Sequence, residues 1–142
     1  MANVLVVYWS GTGNTEIMAE KISEGIASTG AKVDLKSVDQ IQAAIVSQYD
    51  KVAFGCPSMG VEVLEEDEFE PFFEEALPLI KQKKVALFGS FGWGNGEWME
   101  AWEERTKEGQ AILFDKGLMV QETPGASEET LCYEYGVSFA KF

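Results

Sequence analysis

Apolar residues in this chain follow two rhythms: short unbroken runs, and longer stretches in which they recur every three or four positions. The first rhythm predicts β-strands and the second amphipathic helices. Residues 4–8 form a continuous aliphatic and β-branched run, as expected of a strand buried on both faces. A glycine and hydroxyl stretch follows, and then Ile17, Ala19, Ile22, Ile26 and Ala27 recur at nearly helical spacing until Gly30 offers a stop. Residues 32–38 alternate, with Val33, Leu35 and Val38 set against polar neighbours, which predicts a second strand nearer the sheet edge. A short helix is expected over 41–46, a third strand over 52–55, and a helix over about 67–81 with Phe69, Phe72, Phe73, Leu77 and Ile80 facing the core. Residues 85–89 make a fourth strand and 98–107 a helix, with Trp98 and Trp102 on the face that meets the sheet. The runs 112–114 and 118–120, split by Asp115, Lys116 and Gly117, predict an interrupted fifth strand. Ser127, Glu128 and Glu129 resemble a helix start, and the last helix should reach about Ala140.

Five strands alternating with five helices predict a single α/β domain over residues 1–142, with a parallel sheet and helices on both faces. In such sheets ligands bind beyond the carboxyl ends of the strands. The loops after strands one, three and four should therefore meet in one crevice.

Charge narrows the chemistry. The formal net charge of −13 excludes a phosphate-tracking surface for nucleic acid and favours basic protein partners. With no histidine, no His-centred triad or imidazole acid–base catalyst can be built. Cys56 and Cys132 form no CxxC pair and read as two small buried thiols. No run is long enough to insert in a membrane, and a cytoplasmic protein is expected.

Ser10, Gly11, Thr12, Gly13, Asn14 and Thr15 link a buried strand to a helix N-terminus, where free backbone N–H groups and the helix dipole favour an anion. Three hydroxyls and an amide can surround a terminal phosphate without lysine or arginine. A nucleoside-triphosphate loop would need GxxxxGK[ST], and no lysine occurs before Lys21. A dinucleotide fingerprint fails because Glu16 stands where a third glycine or small residue is required.

Together with this loop, Met59, Gly60 and Glu62, and the run Phe88, Gly89, Ser90, Phe91, Gly92, Trp93 and Gly94, stand at the spacing of the short-chain flavodoxins, and the chain resembles that family along essentially its whole length. The resemblance implies the flavodoxin-like doubly wound five-stranded parallel sheet of order 2-1-3-4-5, one non-covalently bound FMN, and low-potential one-electron transfer between redox proteins in place of or beside ferredoxin. It implies that residues 10–15 hold the phosphate, that Met59 and Trp93 cover opposite faces of the flavin ring, and that Glu62 accepts from flavin N3–H. It also implies that the Gly60 carbonyl turns toward flavin N5 on one-electron reduction. Ser58, Val61, Ser90, Phe91, Gly92 and Gly94 complete the expected site, with no catalytic or metal-binding residue. A monomer is expected, docking basic surfaces of a reductase and an acceptor.

Two positions depart from the family. Pro57 occupies a position where some relatives have serine, so Ser58 must supply any hydroxyl there. Val61 follows Gly60 in the turn 59–62, and a type II turn would require positive φ at its third residue, costly for a β-branched side chain. Val61 is therefore expected to disfavour the carbonyl-up turn that accompanies one-electron reduction; a penalty of about 1–2 kcal/mol would lower the first reduction potential by roughly 40–90 mV, and Val61→Gly should raise it. The acidic residues Glu65, Glu66, Asp67, Glu68 and Glu70 after one loop, and Glu97, Glu100, Glu103 and Glu104 after the other, are expected to disfavour added negative charge and to steer basic partners. Two other readings share the frame. An FMN-dependent NAD(P)H:quinone reductase would need room for a second substrate, and a phosphoacceptor module would need acids where Tyr8, Trp9 and Ser10 stand.

Overall fold

The computed structural model of the chain describes residues 3–142. The runs expected to be strands form one parallel sheet from β1 (Asn3–Tyr8), β2 (Lys32–Ser37), β3 (Lys51–Gly55), β4 (Lys84–Phe91), β5 (Ile112–Leu113) and β6 (Leu118–Gln121). The order is β2-β1-β3-β4-β5, and β6 pairs with β4 beyond the end of β5. This is the doubly wound arrangement expected from the sequence.

Side chains alternate across the sheet and define two cores. Leu5, Val7, Val52, Phe54, Val85 and Leu87 pack against α2 (Phe69–Ala76) and α3 (Glu97–Glu108). Val4, Val6, Ala53, Ala86 and Phe88 pack against α1 (Asn14–Ser28) and α4 (Ala126–Lys141). Trp98 and Trp102 are buried on the first face, where Trp102 meets Phe69 and Phe73 edge-on. On the second face α1 and α4 touch backbone to backbone. A Cβ on Gly25 would lie 2.0 Å from the Tyr133 carbonyl oxygen, and one on Gly136 would lie 2.1 Å from that of Ile22.

The interruption of the fifth strand is real. Asp115 turns the chain at φ 47°, so among the described residues the outer edge of β4 has no strand partner between Val85 and Phe88. The Tyr135 hydroxyl fills that gap, lying 3.3 Å from the Leu87 carbonyl and 3.2 Å from that of Lys116.

Among the described residues four α-helices form rather than five. The helix expected over 41–46 is replaced by two 3-10 turns, Val38–Gln40 and Ala43–Gln48, with Ile41 fully extended between them. Only Ala43 and Val46 of the second turn are buried, and a three-residue repeat stacks these two on one face without a longer helix. The helix expected over 67–81 stays α-helical only through Ala76 and finishes as a 3-10 turn, Leu77–Leu79. Pro78 has no N–H to continue the α pattern. Phe69, Phe72, Phe73 and Ile80 are buried as expected, while Leu77 is half-buried against the same core.

Candidate functional site

Three loops leave the carboxyl ends of β1, β3 and β4 side by side, and hydrogen bonds tie them together. Trp9 N–H donates to the Gly55 carbonyl at 3.0 Å, and Ser58 N–H to the Ser90 carbonyl at 2.9 Å. The Thr15 and Ser90 hydroxyls meet at 2.8 Å, and Ser90 N–H donates to Thr15 Oγ1 at 3.3 Å. Thr15 is 1% exposed and Ser90 4%, so this junction is dry.

Between the loops lies an open cleft of about 240 Å³, lined from the expected set by Gly11, Thr12, Asn14, Ser58, Met59, Ser90, Phe91 and Gly92. Trp9, Pro57 and Glu122 line it as well. Sequence reasoning assigned neither Trp9 nor Glu122 to the site, and marked Pro57 only as a departure from the family at the phosphate. Trp9 flanks the assigned first loop, so adjacency was its only signal. Glu122 arrives from beyond β6, its N–H held by the Phe91 carbonyl at 2.7 Å, and nothing in its local sequence marks it. The next residue, Thr123, donates to Asn14 Oδ1 at 3.0 Å and ties this fourth segment to the first loop.

The loop at 10–15 is built for an anion. Ser10 Oγ accepts from Gly13 N–H at 3.1 Å and Glu16 N–H at 3.3 Å, folding the loop over its own hydroxyl. Gly13 precedes α1 at φ 96° and offers no side-chain cap. Among the described residues, the N–H groups of Thr12, Asn14 and Thr15 have no protein acceptor. Such an N-terminus supplies donors and a positive dipole end to a phosphate.

The other expected residues, Ser10, Gly13, Thr15, Gly60, Val61, Glu62, Trp93 and Gly94, belong to the same three loops but do not line this cleft. Trp93 projects from the third loop with 61% exposure, and Met59 is also exposed. The Glu62 carboxylate accepts from Glu97 N–H at 3.0 Å, lies against Gly94, and borders a separate cavity with Trp98 and Arg105. Below the first loop, Tyr8 O–H donates to Glu16 at 3.0 Å; burial first, and then that carboxylate, push the phenol up to about 12. Cys56, at the end of β3, is a buried free thiol whose ionisation burial opposes, and Cys132 is buried and free as well.

The turn at 59–62 is closed by a short bridge. Met59 and Val63 pair as an antiparallel bridge, with N–H···O distances of 2.7 and 3.0 Å, so the turn closes over Gly60, Val61 and Glu62. Positive φ falls on Gly60 (52°) and Glu62 (54°), not on Val61, whose side chain is 81% exposed. Val61 carries no positive φ in this conformation, and the strain expected of it belongs to the carbonyl-up type II turn, which is not the turn formed here.

The acidic runs also divide. Glu65 turns inward, and its carboxylate accepts three N–H bonds of 2.8 Å from Asp67, Glu68 and Phe69. Glu70 forms a two-pronged pair with Arg105 at 2.8 and 2.6 Å. Glu66, Asp67, Glu97, Glu100 and Glu104 remain on the surface.

These residues fit FMN. The open N–H groups and hydroxyls of the first loop suit a phosphate, the cleft beside them has an apolar wall, and Trp93 and Met59 offer an aromatic and a thioether contact for a planar ring. The sequence model of the family described as Flavodoxin matches residues 6–136. A flavodoxin of Clostridium beijerinckii is 47% identical over 135 residues, 95% of this chain and 97% of its own. A flavodoxin of Megasphaera elsdenii is 44% identical over 138 residues, 97% of this chain and 98% of its own. The solution structure of the two-electron reduced Megasphaera elsdenii flavodoxin superposes with a TM-score of 0.88 at 43% identity, covering 98% of this chain and 99% of that one. With the sheet order, the loop junctions and these matches in agreement, the chain belongs to the flavodoxin family of FMN-binding electron carriers.

Proposed function

We propose that this flavodoxin is a cytoplasmic, monomeric, low-potential carrier that takes one electron at a time from a reductase and passes it to an acceptor protein, in place of or beside a ferredoxin. FMN supplies the redox chemistry, and the chain supplies binding, orientation and electrostatics. The carrying observation is the single cleft shared by the loops after β1, β3 and β4.

In this reading Ser10, Gly11, Thr12, Gly13, Asn14 and Thr15 hold the phosphate through amide and hydroxyl donors, with Ser58 completing the set beside Pro57. Met59 and Trp93 cover the two ring faces, and Glu62 accepts from the ring N3–H. Gly60, already at positive φ, lets the following peptide reorient without a side-chain clash. Glu122 adds a carboxylate to the cleft wall. One like charge about 8 Å away disfavours an added electron by roughly 2 kcal/mol at an effective dielectric near 20. The same acidity supports docking of basic partners, with Glu66, Asp67, Glu97, Glu100 and Glu104 free to take part.

Stepwise anaerobic reduction of the FMN-loaded protein, followed by visible absorption with NADPH alone tested in parallel, examines this reading. Two resolved one-electron steps and no reaction with NADPH alone are expected. Rapid two-electron bleaching by NADPH alone would refute it in favour of a quinone-reductase activity.

A further inference from the structure

Glu62 takes part in two loops at once. Its carboxylate reaches across from the 59–63 turn and accepts, through Oε1, the N–H of Glu97, the first residue of α3. The residue before α3, Gly96, provides no side-chain cap, so a carboxylate from another loop does that work. Glu62 Oε2 has no protein donor among the described residues. The path of the carboxylate runs over Gly94. A Cβ built there would lie 2.5 Å from Glu62 Cδ, 2.6 Å from Oε1 and 2.8 Å from Oε2, far inside contact distance. Gly94 itself stands at φ 93°, and Glu62 holds a left-handed φ of 54°. Two uncommon backbone conformations thus converge on one hydrogen bond.

We infer that Gly94 is a positioning residue for the Glu62 carboxylate: by carrying no side chain it opens the slot that lets Oε1 rest on the Glu97 amide and leaves Oε2 to receive the N3–H of the flavin ring. The inference rests on the reading of Glu62 as the ring's partner given above. Gly94 acts here through Glu62. Any side chain at 94 forces the carboxylate off the Glu97 amide, because the clash falls on both oxygens and on the carbon between them. The carboxylate then swings on a flexible stem, and the orientation that selects an N–H donor at the ring edge is lost.

The test compares binding of FMN and of N3-methyl-FMN, which has no N3–H to donate, by the full-length protein and its variants. Hydrogen exchange of the Glu97 amide is followed in the same proteins without flavin. Gly94→Ala and Gly94→Asn are both used, since asparagine tolerates left-handed backbone and separates that strain from the clash. In the unsubstituted protein FMN is preferred. Gly94→Ala, Gly94→Asn and Glu62→Ala should each reduce the preference by about tenfold, the scale of one hydrogen bond to a charged group. Gly94→Ala added to Glu62→Ala should reduce it no further, because the clash has lost its target. Glu97 amide protection should fall in every one of these variants.

A preference that falls in Glu62→Ala but stays unchanged in both Gly94 variants overturns the slot. A preference unchanged in Glu62→Ala overturns the reading of Glu62 as the ring's partner, and the inference with it. A Glu97 amide still protected in both Gly94 variants overturns the slot whatever the flavins do. Weaker binding of both flavins by the same factor assigns Gly94 a purely structural role and likewise overturns it.

Discussion

Replacing Thr15 with valine keeps its shape and removes one hydroxyl from the junction that joins the first and third loops. In the folded protein that oxygen lies 2.8 Å from Ser90 Oγ and accepts Ser90 N–H at 3.3 Å, with both residues almost fully buried. Two bonds are lost, and Ser90 N–H is left without water or protein to receive it. A neutral hydrogen bond contributes about 0.5–1.5 kcal/mol, and an orphaned buried donor costs about 1–3 kcal/mol. The expected destabilisation is about 2 kcal/mol, read from the urea midpoint of the FMN-free protein at unchanged slope. Ser90→Ala should cost less, about 1 kcal/mol, because the backbone N–H still reaches Thr15. The double variant should cost less than the sum by about 0.5–1 kcal/mol, since the two hydroxyls share a bond. Thr15→Ser restores the oxygen and should recover most of the loss. If Thr15→Val unfolds within about 0.5 kcal/mol of the parent, the range of ordinary surface changes, the junction is not a structural tie and the reasoning fails.

Three further outcomes follow from particular contacts. Glu65→Ala leaves three N–H groups at the start of α2 without their acceptor and should cost about 2–3 kcal/mol, lowering Tm by roughly 6–10 °C, whereas Glu66→Ala on the surface should change little. Tyr135→Phe uncovers the gap in the outer edge of β4 and should cost about 1 kcal/mol in urea unfolding; no change would mean that the hydroxyl is dispensable there. Tyr8 and Tyr49 are each pushed up to about 12 by burial and then by hydrogen-bonded carboxylates, those of Glu16 and Asp34. The unfolded chain releases these protons first, near pH 10, so their stabilisation is complete below about pH 10 and is lost as pH rises toward 12. Urea midpoints should fall over that interval, and Tyr8→Phe with Tyr49→Phe should flatten the fall.

The strands were legible because burial on both sheet faces requires unbroken apolar runs, and Val4, Leu5, Val6 and Val7 are all fully buried. The break in the fifth strand was legible too, since Asp115, Lys116 and Gly117 interrupt the run where the chain turns out. The segment at 41–46 was not, because apolar residues three apart suit a 3-10 turn as well as an α-helix. At the site, the glycines, hydroxyls and aromatic residues of the three loops marked the cleft from composition and position. What the sequence concealed is directional. Glu65 and Glu66 are neighbours of one type, yet one caps a helix from inside and the other faces water. The conformation of the turn at 59–62 was not legible either, because it depends on the pairing of Met59 with Val63, a tertiary choice that Val61 does not report.

The central claim is one FMN site built from three loops, with the phosphate held by the first. Titration of the FMN-free protein with FMN and with riboflavin, followed by flavin fluorescence, tests it most directly. The account predicts one equivalent of FMN bound with its fluorescence quenched by the aromatic and thioether contacts, and riboflavin bound at least about a hundredfold more weakly, the loss of two or more hydrogen bonds to a charged group. Equal affinity for riboflavin, or no quenching with either flavin, would contradict it.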